Sequence, residues 1–176
     1  MVKSIYTYPK DKEILTQKSQ EVTEFTQEIK TIIQDLKDTV VANHGVGISA
    51  VQIGIPLQIC VINWGGLHVL VNPKVTRSRG VHTLKEGCLS VPGLFVKTTR
   101  PQKVWITALD ENGKEYEYAE GGNGSFIALH EIDHFEGKCP LFTTYDEMLN
   151  KYIEQMKEQE ALNETKEEQK TEENQE

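Results

Sequence analysis

The sequence contains no long apolar run, and its uncharged stretches fall far short of the roughly 20 residues that a membrane-spanning helix needs. Nor does its N-terminus carry the apolar core of a secretory signal. Cysteine is scarce: Cys60, Cys88 and Cys139 are odd in number and widely spaced, which argues against a disulfide framework and for reduced thiols. Positive charge is in deficit, with 19 Lys and Arg against 27 Asp and Glu and a net charge of −8. That balance offers no electrostatic footprint for nucleic acid. No Walker loop, internal repeat or basic run is present. The expectation is a cytoplasmic protein with no membrane segment and no nucleic-acid site.

At 176 residues and 38% hydrophobic content, the chain suits one well-buried core. Its charge is uneven. Residues 157–176 hold eight Glu and three Lys, a net of −5 that leaves −3 for the rest. Apolar residues are almost absent there, a composition that cannot offset the entropy of ordering. A folded domain over residues 1–156 and an acidic tail over 157–176, disordered or at most a fraying helix, is the expected organisation.

Periodicity places the main elements. Phe25, Ile29, Ile32, Ile33, Leu36, Val40 and Val41 recur at helical spacing within residues 24–42. Residues 57–63 and 67–71 read as strands joined at Gly65-Gly66, and residues 103–110 pair with 114–119 across Glu111-Asn112-Gly113. A glycine break at residues 121–124 precedes a mostly apolar helix over 125–136, which Gly137 can terminate. A final helix is expected from about Tyr145 to Met156.

Two short segments carry the chemistry. In His130-Glu131-Ile132-Asp133-His134 the two imidazoles lie one helical turn apart, rotated by only about 40°, with Glu131 about 100° from His130. Such a pair binds a divalent cation but leaves its coordination incomplete, so a third protein ligand must come from elsewhere and water must fill the fourth position. Cys88, in Glu86-Gly87-Cys88-Leu89-Ser90, is the best candidate for that third ligand. A His-Glu-x-x-His helix points to metal-dependent amide hydrolysis with the Glu as base. Cys60 and Cys139 read instead as small buried hydrophobes outside the site. His44 is expected to serve a loop or cap, and Asp133 to pair with Arg100 and stiffen the helix.

Gly45-Val46-Gly47-Ile48-Ser49-Ala50-Val51-Gln52, Glu86-Gly87-Cys88-Leu89-Ser90 and His130-Glu131-Ile132-Asp133-His134, in that order, resemble the three signature motifs of the peptide deformylases. Asn72-Pro73, Val91-Pro92-Gly93, Arg100 and residues 109–113 add to the resemblance, which covers roughly residues 5–145. It implies an α+β fold, with antiparallel or mixed sheets packed around a central helix bearing the metal ligands. It also implies removal of the formyl group from the formylmethionine terminus of nascent polypeptides; a monomer is expected.

The same resemblance implies one divalent metal held by Cys88, His130 and His134. Fe(II) is expected, and Zn, Ni or Co are compatible with those ligands. Glu131 would act as the base, with Gln52 and the backbone N–H of Leu89 stabilising the developing oxyanion. Gly45, Val46, Gly47, Leu84, Glu86, Gly87, Phe126 and Ile127 would bind substrate. Any ribosome contact is expected to avoid the acidic tail. The sequence departs from the family pattern at Ser49, Val51, Leu129, Phe135 and Thr143. The rival readings are a zinc peptidase, for which no histidine follows His134, and a non-catalytic nascent-chain or metal-binding module.

Overall fold

A computed structural model describes residues 1–173, with side chains to residue 159. The chain forms α1 (Lys12–Leu15), α2 (Gln27–Ala42), β1 (Gly47–Ser49), β2 (Ile59–Asn63), β3 (Leu67–Arg79), β4 (His82–Cys88), β5 (Val91–Arg100), β6 (Lys103–Leu109), β7 (Glu115–Gly121), α3 (Asn123–Asp133) and α4 (Pro140–Glu173). Single 3-10 turns cover Ala50–Ile53 and His134–Glu136. The mixture of helices and antiparallel sheets is the α+β class expected. Five strands pair in the order β1, β2, β3, β6, β7, and β4 with β5 forms a separate hairpin.

The stripe of α2 goes inward as its spacing requires: Ile29, Ile32, Ile33, Leu36 and Val40 are buried with Ile48, Ile59, Val61 and Val71. Thr26 caps the helix, its side-chain oxygen accepting from the N–H of Ile29, as an N-cap should. On the other face of the sheet, Cys60, Ile62, Leu70, Val104, Ile106 and Ala108 pack with Ala128 of α3 and with Phe135. Between these two layers the sheet fixes α3, the helix on which the chemistry sits.

Strand β3 runs eight residues past Val71, where the apolar pattern stops. Asn72 adopts φ +49°, breaks the pairing register, and holds both the N–H and the C=O of Val22 through its side-chain amide at 2.8 Å each. Beyond it β3 pairs with β6, so backbone pairing rather than burial extends the strand. The hairpin of β4 and β5 also has little apolar alternation, and its outer positions are exposed.

Packing divides the chain at Phe142, with a second compact unit starting at Thr143. Residue 156, the expected end of the folded domain, lies within α4. Residues 157–173 are helical, where disorder or at most a fraying helix was expected. Their Glu, Lys, Gln and Ala content opposes burial, yet these residues have high intrinsic helix propensity, so helix without a core is what the composition permits. The expectations for residues 174–176 lie outside the described residues.

Candidate active site and metal centre

Helix α3 presents His130 and Glu131, and the 3-10 turn that follows presents His134. All three are buried, His134 completely. Buried imidazoles and carboxylates require partners. On one side of the helix the partners are charged: Glu86 Oε2 lies 3.0 Å from His130 Nδ1. Glu86 in turn accepts from Arg100 Nη2 at 2.9 Å and also from Arg100 Nε and Thr98 Oγ1. Arg100 Nη1 reaches Asp133 Oδ2 at 2.7 Å, the pairing anticipated from the sequence. Burial alone would raise the Glu86 carboxyl, but the contacts with His130, Arg100 and Thr98 outweigh it and hold the group down at about 2. An ionised Glu86 keeps a proton on His130 Nδ1 and turns the Nε2 lone pair outward.

On the other side of the histidines lie thiols. Cys88 Sγ is 3.4 Å from His134 Nε2 and 3.4 Å from Gln52 Nε2. Cys139, set aside on sequence grounds, is buried as expected, but its sulfur joins this group. One donor atom each from Cys88, His130, His134 and Cys139 lie within 4.8 Å of one another. The cause is local. After α3 a single 3-10 turn ends at Gly137, with φ +67°, and the N–H of Lys138 closes back to the C=O of Asp133. A Cβ at Gly137 would stand 2.0 Å from the carbonyl oxygen of Thr16. Only glycine therefore permits the reversal that returns Cys139 to the histidines.

A hydrogen bond links the thiols of Cys88 and Cys139. The bond from Cys88 brings the Cys139 thiol down to about 7, while the same bond and burial push Cys88 up. His130 Nε2 and His134 Nδ1 have no hydrogen-bond partner among the described residues. Burial keeps His134 neutral, its affinity for a proton well below the ordinary imidazole value. Neutral imidazole, thiols that can deprotonate and orphaned ring nitrogens fit a soft or borderline divalent cation.

Glu131 faces the same space. Burial raises its carboxyl above the ordinary value, opposed by the charge of His130 and a hydrogen bond from Ser49. Ser49 Oγ lies 2.7 Å from Glu131 Oε2 and 2.9 Å from the Glu131 carbonyl oxygen. Of the five departures noted in the sequence, Ser49 touches the chemistry, whereas Val51 and Phe135 are buried in packing and Leu129 packs against the core. Gly47 is required by proximity, because a Cβ there would lie 2.6 Å from Glu131 Oε1.

A cavity of about 550 Å3 opens above these groups. It is lined by every residue expected to bind substrate: Gly45, Val46, Gly47, Leu84, Glu86, Gly87, Phe126 and Ile127, together with Gln52, Cys88, Leu89, His130 and Glu131. Trp64 and Phe95 also line it and were not singled out for that place by the sequence, as does His44, for which substrate contact was the alternative to a loop or cap role. His44 has φ +52° just after α2, consistent with its cap role as well. The carboxylate of Glu86 is spent on Arg100, Thr98 and His130, and so fixes the orientation of the His130 ring. Gln52 is 1% exposed. Its Oε1 accepts the N–H of Ser49 at 2.8 Å and its Nε2 also donates to Ser90 Oγ at 3.1 Å.

Comparisons with known proteins agree with this geometry. Residues 2–148 match the family model described as polypeptide deformylase. The chain is 39% identical over 144 residues to a peptide deformylase of Aquifex aeolicus, covering 78% of this chain and 84% of that one. Among solved structures, a peptide deformylase from Ehrlichia chaffeensis superposes with a TM-score of 0.80 at 35% identity, over 93% of this chain and 99% of the other. A deformylase from the same organism in complex with actinonin gives 0.75 at 38% identity, over 78% and 86%. With the motifs, the fold and the cavity in agreement, the chain belongs to the polypeptide deformylase family.

Proposed function

We propose that this protein is a peptide deformylase that hydrolyses the N-formyl group of formylmethionine-terminated nascent peptides, releasing formate and a free amine. The observation that carries the reading is the convergence of the Glu131 carboxylate with Cys88, His130 and His134 beneath an apolar cavity. Cys88, His130 and His134 would hold one divalent cation, which when bound supplies Lewis acidity to activate water and polarise the formyl oxygen. Glu131, raised by burial, takes a proton from the attacking water and delivers it to the leaving nitrogen. Ser49 fixes the carboxylate for both transfers.

Leu89 lines the cavity beside Cys88, and its backbone N–H is the oxyanion donor in this reading. Gln52 adds a second donor once its Nε2 turns from Cys88 toward substrate. Removing one such donor typically raises a barrier by ~3 kcal/mol. Val46, Leu84, Phe126 and Ile127 supply the apolar wall for the methionine side chain. Strand β1 lies at the sheet edge, where an extended peptide can align with it.

Fe(II) is the metal of this reading, with Zn, Ni and Co able to take the same donors. The protein acts as a monomer in the cytoplasm, and any ribosome contact avoids the acidic stretch at residues 157–176, which serves as a solubilising extension. Among the described residues no helix is long and apolar enough to cross a membrane. The test is hydrolysis of a formyl-Met tripeptide by anaerobically purified protein reloaded with Fe(II) or Ni(II), beside Glu131→Ala protein shown to keep its metal. Activity in the parent and its loss in the variant is expected. A metal-loaded parent with no activity contradicts the reading.

A further inference from the structure

The three-ligand site leaves one question for the geometry, namely what else stands within reach of the fourth position. Cys139 does. Its donor atom lies within 4.8 Å of those of Cys88, His130 and His134, all four of them buried. A tetrahedral centre with metal-to-sulfur bonds of about 2.3 Å and metal-to-nitrogen bonds of about 2.0 Å has edges of about 3.3 to 3.8 Å. The observed Cys88 Sγ to His134 Nε2 separation of 3.4 Å is already such an edge.

The backbone holds Cys139 in place. The N–H of Phe142, in the first turn of α4, donates to the Cys139 carbonyl oxygen at 3.0 Å. Phe142, 5% exposed, stacks on Tyr8 with ring centroids 4.4 Å apart, which anchors that turn. His130 Nε2 is buried with no hydrogen-bond partner among the described residues, so nothing there takes up its lone pair.

We propose that Cys139 is a fourth protein ligand, making the resting metal centre a closed Cys2His2 set in which a second thiolate occupies the position that hydrolysis reserves for water. The inference rests on the metal site read above and adds one donor to it. Cys139 then competes with water for the metal and ties metal retention to the turn at Gly137.

Apo protein is titrated with Co(II) under anaerobic, reducing conditions, and the thiolate-to-cobalt charge-transfer band is read per bound cobalt. The wild type is expected to give about twice the intensity of Cys139→Ala and of Cys139→Ser, with weaker metal retention in both variants. Equal intensity in wild type and variants, at one equivalent bound, overturns the proposal while leaving the three-ligand site intact. X-ray absorption on the zinc-loaded wild type needs no variant: two sulfur and two nitrogen neighbours support the proposal, and one sulfur contradicts it. Wild type that binds no metal overturns both this proposal and the site itself. Bound metal without formate release in the wild type and in Cys139→Ala, where no second thiolate competes with water, counts against the deformylase reading alone.

Discussion

The two flanks of the histidine pair are built on opposite plans. On one flank every charged atom has a partner, because Glu86 is shared by Arg100, Thr98 and His130, and Arg100 also grips Asp133. On the other flank two thiols stand beside the imidazoles, and His130 Nε2 has no hydrogen-bond partner among the described residues. The saturated flank fixes geometry and the unsaturated flank awaits a ligand. A buried donor cluster is tolerable in a folded protein only when something else satisfies it, and the difference between the flanks is the physical signature of a metal centre.

Arg100→Ala is the most severe way to break that contrast, since it leaves Glu86 buried beside a single imidazole and a hydroxyl. A loss of ~3–5 kcal/mol in folding stability is expected for an orphaned buried charge, measured by denaturant unfolding at neutral pH. Asp133→Asn removes only the outer, partly exposed partner and should cost clearly less. Glu131→Gln spares the saturated flank, and a fall in kcat of about 10²–10⁴-fold with metal content retained is the expected result, read by steady-state kinetics. Ser49→Ala removes the hydrogen bond to Glu131; bonds to charged groups are worth ~1.5–3 kcal/mol, so with Glu131 as the proposed base kcat should drop by at least about tenfold while KM holds.

Acid sharpens the comparison more gently. The Glu86 carboxyl is held at about 2 in the folded protein, below its ordinary value of 4.5. Its contribution is therefore fully present above about pH 4.5 and is lost as pH falls toward 2. Glu86→Gln should flatten the decline of melting temperature between pH 5 and 3. An unchanged slope in that variant would place the acid sensitivity in other carboxylates.

The saturated flank was largely legible in the sequence and the unsaturated one only in part. Asp133 and Arg100 could be paired because helical spacing put Asp133 on the side of α3 away from the ligands. Cys88 was reachable through its motif. Cys139 was not, because its approach to the histidines depends on a 3-10 turn and on the left-handed Gly137, and neither leaves a periodic trace. Its apolar surroundings suggested an inert thiol. Glu86 was placed at the cavity correctly, but its orienting role depends on Thr98 and Arg100 across the β4–β5 pairing, a hairpin with no apolar alternation to announce it. Along the fold, α2 was clear from its stripe, whereas β3 exceeded its apolar segment through backbone pairing alone.

The central claim is that the donor cluster beneath the cavity hydrolyses a formyl amide. The most direct measurement is formate release from a formyl-Met tripeptide by metal-loaded protein, with the acetyl-Met tripeptide and an unmodified peptide as controls. The account predicts one formate for each new methionine amine and no cleavage of either control. Cleavage of an internal peptide bond without formate would contradict it and restore the peptidase reading.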